Sequence, residues 1–278
     1  MTNILTAEEV QFFTTNGYLI VRNVYCLEDI SRIRKKFDTW FADSLWQQNS
    51  YDSLSIINDI YTHWGELAEI IFSKKYFDII KDILGEKIIF LPECAVHRNR
   101  FTAWHKDTTS QERAGLTFHQ SNKHTLLQCG IYFQSNGKNG GGLTVIPATH
   151  HEPDRFITTH NPSIFERMIL KLKKILGYSV FDKVEKTDAI IDLDSRAGDL
   201  VLFDLRIDHR ATRPYAQSKS KLTKYAIFNT FGSPESCVKN YQNYLKTRTE
   251  PYYQFINQHF LPDILYKISS QNNIEIYY

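Results

Sequence analysis

Two histidines and one aspartate constrain this chain more than any other feature of its sequence. His105 and Asp107 are separated by one residue, and His209 follows far downstream. Two imidazoles and a carboxylate can bind one face of a metal ion and leave the opposite positions open, which is the ligand set of a non-haem Fe(II) oxygenase. Alternate residues of a strand point to the same side, so we expect His105 and Asp107 to share one strand. The third ligand must then come from another strand of a closed or sandwiched sheet.

Short strand-like runs surround these residues. A His-x-Asp triplet by itself is common in surface loops, so the surrounding pattern decides how much weight it carries. Runs rich in β-branched and aromatic residues, separated by Gly, Asn and Asp turns, cover 87–91, 126–133, 143–147 and 200–204. This pattern predicts an antiparallel all-β core, for which a double-sheet jelly roll is the natural architecture.

Four segments together carry a resemblance to a known family. They are the amino-terminal stretch 5–21, Trp104-His105-Lys106-Asp107, the glycine-rich stretch 139–150, and the approach to His209 over 197–203. In this order, and over most of residues 1–233, they resemble the phytanoyl-CoA dioxygenase family of Fe(II)- and 2-oxoglutarate-dependent oxygenases. The resemblance implies a mainly β protein with flanking α-helices, built on a double-stranded β-helix (a cupin-like jelly roll). It also implies Fe(II) bound by His105, Asp107 and His209, with 2-oxoglutarate and O2 as co-substrates.

The far carboxylate of 2-oxoglutarate needs a cation, and here the sequence departs from the family pattern. The family places an arginine some ten or more residues after the second histidine, often just before an apolar strand, but this chain has Lys224 there. Arg213 lies four residues after His209. Because a planar guanidinium binds a carboxylate through two parallel hydrogen bonds, we favour Arg213 over Lys224. Arg98 and Arg100 are the next candidates.

The type of reaction follows from Asp107. Halogenating relatives in the family have a small residue at this position, which opens a site for chloride. A carboxylate that can bind the metal leaves no such vacancy, so the resemblance favours hydroxylation of an aliphatic carbon. Desaturation, epoxidation and ring formation use the same iron and stay open as outcomes.

The substrate class is inferred from what the sequence lacks. Nothing in it resembles a dedicated coenzyme A site, and the chain is compact. We therefore expect a small-molecule substrate from secondary metabolism, with late hydroxylation of an alkaloid toxin such as cylindrospermopsin as one candidate. The net charge of +2 gives no reason to expect a nucleic-acid or membrane partner, and the oligomeric state is left open.

Length and composition predict one catalytic domain over residues 1–278. We expect amino-terminal helices and a first strand over about 1–85, and a jelly-roll core over about 86–233 with a helical insertion near 163–176. A helical tail should follow over about 234–278. The scattered cysteines do not indicate a disulfide framework or a thiolate zinc site. No signal peptide and no run of ~18–20 apolar residues is present, so the sequence predicts a cytoplasmic protein.

The remaining histidines are expected to have other roles. The resemblance implies that the pair at 150–151 does not bind metal, and three others flank the first ligands: His97, His119 and His124. Two functions from other classes also stay open. One is a zinc-dependent, cupin-type hydrolase or isomerase with the same ligands, and the other is a non-catalytic jelly-roll binding protein.

Overall fold

The computed structural model describes residues 3–43, 56–58, 60–115, 123, 126–137, 140–156, 168, 189–214, 222–234, 236–247 and 261–276. The predicted helical insertion near 163–176 lies outside these residues, apart from Met168. His119 and His124 also lie outside them. Within these ranges the chain forms eight α-helices and ten β-strands.

The helices are found mainly before the first long strand and after the last one. In chain order they are α1 (Ala7–Asn16), α2 (Leu27–Ala42), α3 (Ile60–His63), α4 (Gly65–Ile71), α5 (Lys74–Leu84), α6 (Thr109–Arg113), α7 (Ser236–Thr247) and α8 (Asp263–Asn272). The strands are β1 (Tyr18–Val21), β2 (Ile56–Asn58), β3 (Ile88–Arg98), β4 (Leu126–Tyr132), β5 (Leu143–Ile146), β6 (Ile191–Asp192), β7 (Leu200–Asp204), β8 (Asp208–Ala211), β9 (Tyr225–Gly232) and β10 (Ile274–Ile276). None of the helices in the described ranges combines the length and apolar character that crossing a bilayer requires.

The strands form a larger and a smaller sheet. The larger sheet has seven strands in the order β1-β7-β4-β9-β3-β10, with β2 also paired to β3. The smaller sheet has the order β6-β5-β8. All the pairings are antiparallel except that of β10 with β3. This architecture confirms the jelly roll with flanking helices that the sequence predicts.

The two faces of the larger sheet bury different partners, because successive side chains of a strand alternate between its faces. On β7, Leu200 and Leu202 belong to the apolar core that includes α2 and α5. The alternate residues Val201 and Phe203 pack with Val145 of β5 in a second core between the sheets. The helices therefore cover one face, and the other face turns towards the smaller sheet and the candidate site.

The end of α1 explains one of the extra histidines. Thr6 caps the helix amino terminus in a capping box with Glu9, and Gly17 ends the helix with φ of 79°. A Cβ at Gly17 would lie only 2.6 Å from His150 Nδ1, so the glycine makes room for this ring. His150 is fully buried, and its Nε2 lies 3.2 Å from the carbonyl oxygen of Thr14. His150 thus packs against α1 and is not grouped with the three metal-ligand candidates.

The carboxyl-terminal region corrects one prediction. Helices α7 and α8 agree with the helical tail, but Ile274–Ile276 forms β10 and pairs in parallel with β3 from Ile88 to Phe90. The region predicted as a helical tail therefore also contains a short strand. A three-residue strand is too short for an alternating pattern to be read from the sequence, and only its distant partner in β3 gives it that conformation.

Candidate metal centre and cavity

The three candidate ligands meet where the chain before α6 pairs with β8. His105 and His209 form an isolated antiparallel bridge in which each backbone N–H donates to the other's carbonyl oxygen at 3.0 Å. Asp107 N–H donates to the carbonyl oxygen of Leu205 at 2.9 Å. Asp107 lies in the turn before α6, so the prediction that His105 and Asp107 share one strand is wrong. A turn brings the carboxylate to the imidazoles.

The ligand atoms are close enough to bind one ion. Asp107 Oδ1 lies 3.4 Å from His105 Nε2 and 3.5 Å from His209 Nε2. One potential ligand atom from each residue falls within 4.8 Å of the other two. Two nitrogens and one oxygen at this separation fit a divalent transition metal with three protein ligands.

The other nitrogen of each ring fixes its orientation. His105 Nδ1 lies 2.7 Å from the carbonyl oxygen of Ala103, and His209 Nδ1 lies 3.0 Å from that of Ile207. Since a carbonyl can only accept, Nδ1 carries the proton in each neutral ring and Nε2 keeps its lone pair. Both lone pairs therefore belong to the nitrogens that face Asp107, as metal binding requires.

The charges of the three residues are coupled. Burial by itself would raise the pKa of Asp107, but in the metal-free site the positive charge of a protonated His209 and hydrogen bonds from both rings in their protonated form hold it well below its usual value. Burial would lower the pKa of His105, but its hydrogen bond to Asp107 and the charge of that carboxylate raise it overall. The site thus holds a carboxylate in its charged form, ready for a cation.

A cavity of about 750 Å³ opens beside these ligands, between the two sheets. Asp107 is the single carboxylate among the described residues that line it. Arg100, Lys224 and His97 also line the cavity, whereas the ammonium of Lys106, another lining residue, is buried and paired with Asp208. The cavity therefore favours an anionic occupant in addition to a metal ion.

Lys224, just before β9, is the cation that the cavity leaves unpaired. The residue is 7% exposed, and its Nζ has no hydrogen-bond partner among the described residues. Gly141, at φ of +87°, makes room for the lysine stem, because a Cβ there would lie 2.7 Å from Lys224 Cδ. Burial, with a smaller contribution from Arg34, lowers the pKa of Lys224. A buried ammonium without a partner favours binding of an anion.

The three arginines that the sequence offered as alternative anchors for 2-oxoglutarate are either exposed or in contact with other groups. Arg213 is exposed after the end of β8 and is not among the residues that line the cavity. The guanidinium of Arg98 lies 4.5 Å from the centre of the Phe41 ring and donates to the Phe41 carbonyl oxygen at 3.4 Å. Arg100 lines the cavity but is exposed.

Two features of the site were missed by the sequence analysis. The Tyr132 hydroxyl is buried in the cavity wall without a hydrogen-bond partner among the described residues. Tyr132 is at the end of β4, two and four residues after Gly130 and Gln128, so the three residues lie on the same face of the strand. This alternation could have been recognised in the sequence. The other feature is a buried ion pair between Lys106 and Asp208, for which the sequence offers no comparable signal.

Comparisons with known proteins identify a family and related folds for this chain. The family model for phytanoyl-CoA dioxygenase (PhyH) matches residues 13–215. Peroxisomal phytanoyl-CoA dioxygenase of Bos taurus is 24% identical over 243 residues, which cover 79% of this chain and 67% of the bovine protein.

Solved structures resemble the fold at low sequence identity. EctD from S. alaskensis, crystallised with bound Fe, has a TM-score of 0.59 at 15% identity, covering 84% of this chain and 79% of EctD. SnoN from nogalamycin biosynthesis, described as a non-heme alpha ketoglutarate dependent epimerase, has a TM-score of 0.56 at 14% identity. That match covers 81% of this chain and 82% of SnoN.

Proposed function

Because the chain belongs to the phytanoyl-CoA dioxygenase family, we propose that it is an Fe(II)- and 2-oxoglutarate-dependent oxygenase that hydroxylates an aliphatic carbon of a small molecule. One observation carries this proposal. Two histidines and a carboxylate converge on a cavity, and the same cavity contains the buried ammonium of Lys224, which has no hydrogen-bond partner within the described ranges. When bound, the iron would activate O2, which is the oxidant; 2-oxoglutarate would supply two of the four electrons as it is decarboxylated to succinate, and the substrate C–H bond would supply the other two.

His105, Asp107 and His209 are the proposed iron ligands. Their Nε2 and Oδ1 atoms lie close together, and both Nδ1 atoms are held by carbonyl oxygens. Structures of two fold neighbours support the pairing of iron with 2-oxoglutarate. EctD has been solved with iron and, separately, with 2-oxoglutarate and 5-hydroxyectoine. SnoN has been solved with Fe3+, alpha ketoglutarate and nogalamycin RO.

Lys224, in preference to Arg213, is the proposed anchor for the far carboxylate of 2-oxoglutarate. It stands before β9, where the family places its arginine, and it lines the same cavity as the metal ligands. Its unpaired ammonium would gain a carboxylate partner, whereas the exposed Arg213 would have to leave solvent to reach one. The unpartnered hydroxyl of Tyr132 can donate a further hydrogen bond to the same co-substrate.

Hydroxylation is the proposed outcome because Asp107 occupies the third ligand position. Its Oδ1 is within 3.5 Å of both imidazoles, so it leaves no vacancy for a halide. The similarity to SnoN makes stereochemical inversion the alternative to consider. The two reactions are separated by product mass, because hydroxylation adds one oxygen atom and inversion adds none.

The proposed substrate is a small molecule of secondary metabolism, with an alkaloid toxin such as cylindrospermopsin as one candidate. A cavity of about 750 Å³ fits 2-oxoglutarate together with a compact substrate. Trp104, Phe156 and Phe228 provide aromatic surface there, and Gln128 and Thr230 provide polar groups.

The test is anaerobic addition of Fe(II) and 2-oxoglutarate to the purified protein. We expect a weak visible absorption band from the iron chelate, and none in the matched variant His209→Ala. Addition of O2 should then yield succinate with one atom from O2, detected with isotopically labelled oxygen gas. A colourless mixture that makes no succinate with any candidate substrate would favour the zinc enzyme or the non-catalytic binding protein.

A further inference from the structure

Lys106, the residue between the first two candidate ligands, has a buried ammonium. The side chain is 1% exposed. Its Nζ donates to the carbonyl oxygens of Thr149 and Arg206, each at 2.5 Å, and forms an ion pair with Asp208 Oδ1 at 3.3 Å. Lysine is almost never buried to this extent unless it is paired, so these three contacts compensate for the loss of water.

The partners of Lys106 belong to the chain that presents the third ligand. Asp208 directly precedes His209, and Arg206 lies in the turn between β7 and β8. The guanidinium of Arg206 binds both carboxylate oxygens of Asp204, through Nε at 2.8 Å and Nη2 at 2.7 Å. This bidentate pair holds the turn in one shape.

Three successive carbonyl groups of this turn receive hydrogen bonds from the ligand segments. Leu205 accepts from the backbone N–H of Asp107, Arg206 from Lys106 Nζ, and Ile207 from His209 Nδ1. The first two come from the segment of His105 and Asp107, and the third comes from the other ligand segment. These hydrogen bonds therefore fix the positions of the His105–Asp107 segment and of the His209 ring relative to the same turn.

We propose that Lys106 is a positioning residue for the metal centre, which ties the His105–Asp107 segment to the turn before His209. This inference rests on the proposed function, because it assumes that the three residues bind a metal ion. Lys106 does not contact the metal. Its ammonium fixes the distance between the two ligand segments, so that the ligand atoms are already in place before the ion arrives.

A second cation completes the arrangement on the other side of Asp208. Arg155 Nε lies 2.8 Å from Asp208 Oδ2, so the carboxylate lies between an ammonium and a guanidinium. Asp208 N–H also donates to Thr149 Oγ1 at 2.9 Å. Thr149, which accepts from Lys106 as well, thus contacts both ligand segments. Removal of the ammonium would break the link from Lys106 and leave the contact through Asp208.

The experiment measures Co(II) binding to the metal-free protein by the visible absorption bands of the bound ion. In Lys106→Met we expect about 10–100-fold weaker binding, the effect typical of partners that orient metal ligands. The bands should also shift, because the ligand geometry relaxes. Lys81→Met is the matched control, since Lys81 Nζ also donates to a carbonyl oxygen, that of Asn272, in a contact between α5 and the end of α8. It should bind Co(II) as the wild type does.

A double variant separates positioning from stability. Lys106→Met leaves the buried Asp208 carboxylate with Arg155 as its one cation, which can destabilise the fold. Lys106→Met with Asp208→Asn also removes that carboxylate charge, while Arg155 keeps its ion pair with Glu152 at 2.8 Å. We expect the double variant to unfold at a higher temperature than Lys106→Met and still to bind Co(II) weakly. Wild-type Co(II) affinity in either folded variant would overturn the inference. Undiminished Co(II) binding in His209→Ala would instead overturn the proposed function.

Discussion

The metal ligands and the other polar groups of the cavity differ in how far the protein has already paired them. At the candidate metal ligands, both Nδ1 atoms donate to carbonyl groups, and Asp208, next to His209, has a cation on each side. By contrast, Lys224 Nζ is buried with no hydrogen-bond partner among the residues that the structure describes. The Tyr132 hydroxyl, in the same cavity wall, is also unpartnered within those ranges.

This difference indicates which interactions the protein provides in advance and which it leaves to a ligand. Ligands that bind a labile metal must be held at fixed distances, so their remaining hydrogen bonds are made within the protein. A cation that binds a co-substrate must stay available, and a buried cation without a partner costs free energy until the anion arrives. Binding of an anion removes this cost, and the free energy that is recovered increases the affinity for the anion.

Removal of one of the three candidate metal ligands should have the largest effect. In His105→Ala, Asp107→Ala or His209→Ala, two protein ligands remain, and two cannot hold a labile Fe(II) at ordinary concentrations. We expect loss of iron from the purified protein and loss of turnover, measured by metal analysis and succinate formation. Turnover at near wild-type rate in His209→Ala would show that the third ligand is wrongly assigned.

Removal of the unpaired cation should come next in size. Lys224→Ala should raise the 2-oxoglutarate concentration needed for half-saturation by roughly 30-fold to several thousand-fold, the equivalent of ~2–5 kcal/mol. Metal binding should stay near wild type, because Lys224 is not one of the three candidate metal ligands. Arg213→Ala is the matched control and should change neither quantity. A large effect in Arg213→Ala alone would transfer the anchoring role to that residue.

Loss of the second unpartnered donor should be smaller. Tyr132→Phe removes one hydroxyl and keeps the ring that packs against Phe228, so the fold should be unchanged. A hydrogen bond to a charged group contributes ~1.5–3 kcal/mol, so 2-oxoglutarate binding should weaken roughly 10–100-fold. Calorimetry with the metal-loaded protein in the absence of O2 measures this directly. Unchanged affinity would mean that Tyr132 does not contact the co-substrate.

Protonation of His105 should give the mildest effect, a dependence of metal affinity on pH. The pKa of His105 is raised above 6.5 in the metal-free protein, and an imidazolium must lose its proton before it can bind a metal. Metal affinity should therefore be full well above this raised pKa and fall as the pH drops through it, by about tenfold per pH unit. Titration of Co(II) at several pH values measures the slope. An affinity independent of pH below 6 would contradict a direct role for His105.

Residue type and spacing indicated the three candidate metal ligands, but they did not indicate which cation lines the cavity. The histidines and the aspartate are recognisable from residue type and spacing, and the strand-like runs around them predict the sheets that the structure shows. The same reasoning preferred Arg213 to Lys224 because it compared the chemistry of two side chains. It could not compare their surroundings, in which Arg213 is exposed and Lys224 is 7% exposed against Gly141.

The local sequence pattern thus determined the helices and strands, and tertiary contacts decided which side chains they bring together. Capping at Thr6, alternation along β7 and the family resemblance are all contained in neighbouring residues. The turn that carries Asp107, the pairing of β10 with β3 and the burial of Lys106 beside Asp208 depend on segments far apart in the chain. The free energy of burying a charge depends on which partners reach it, and only the folded chain determines those partners.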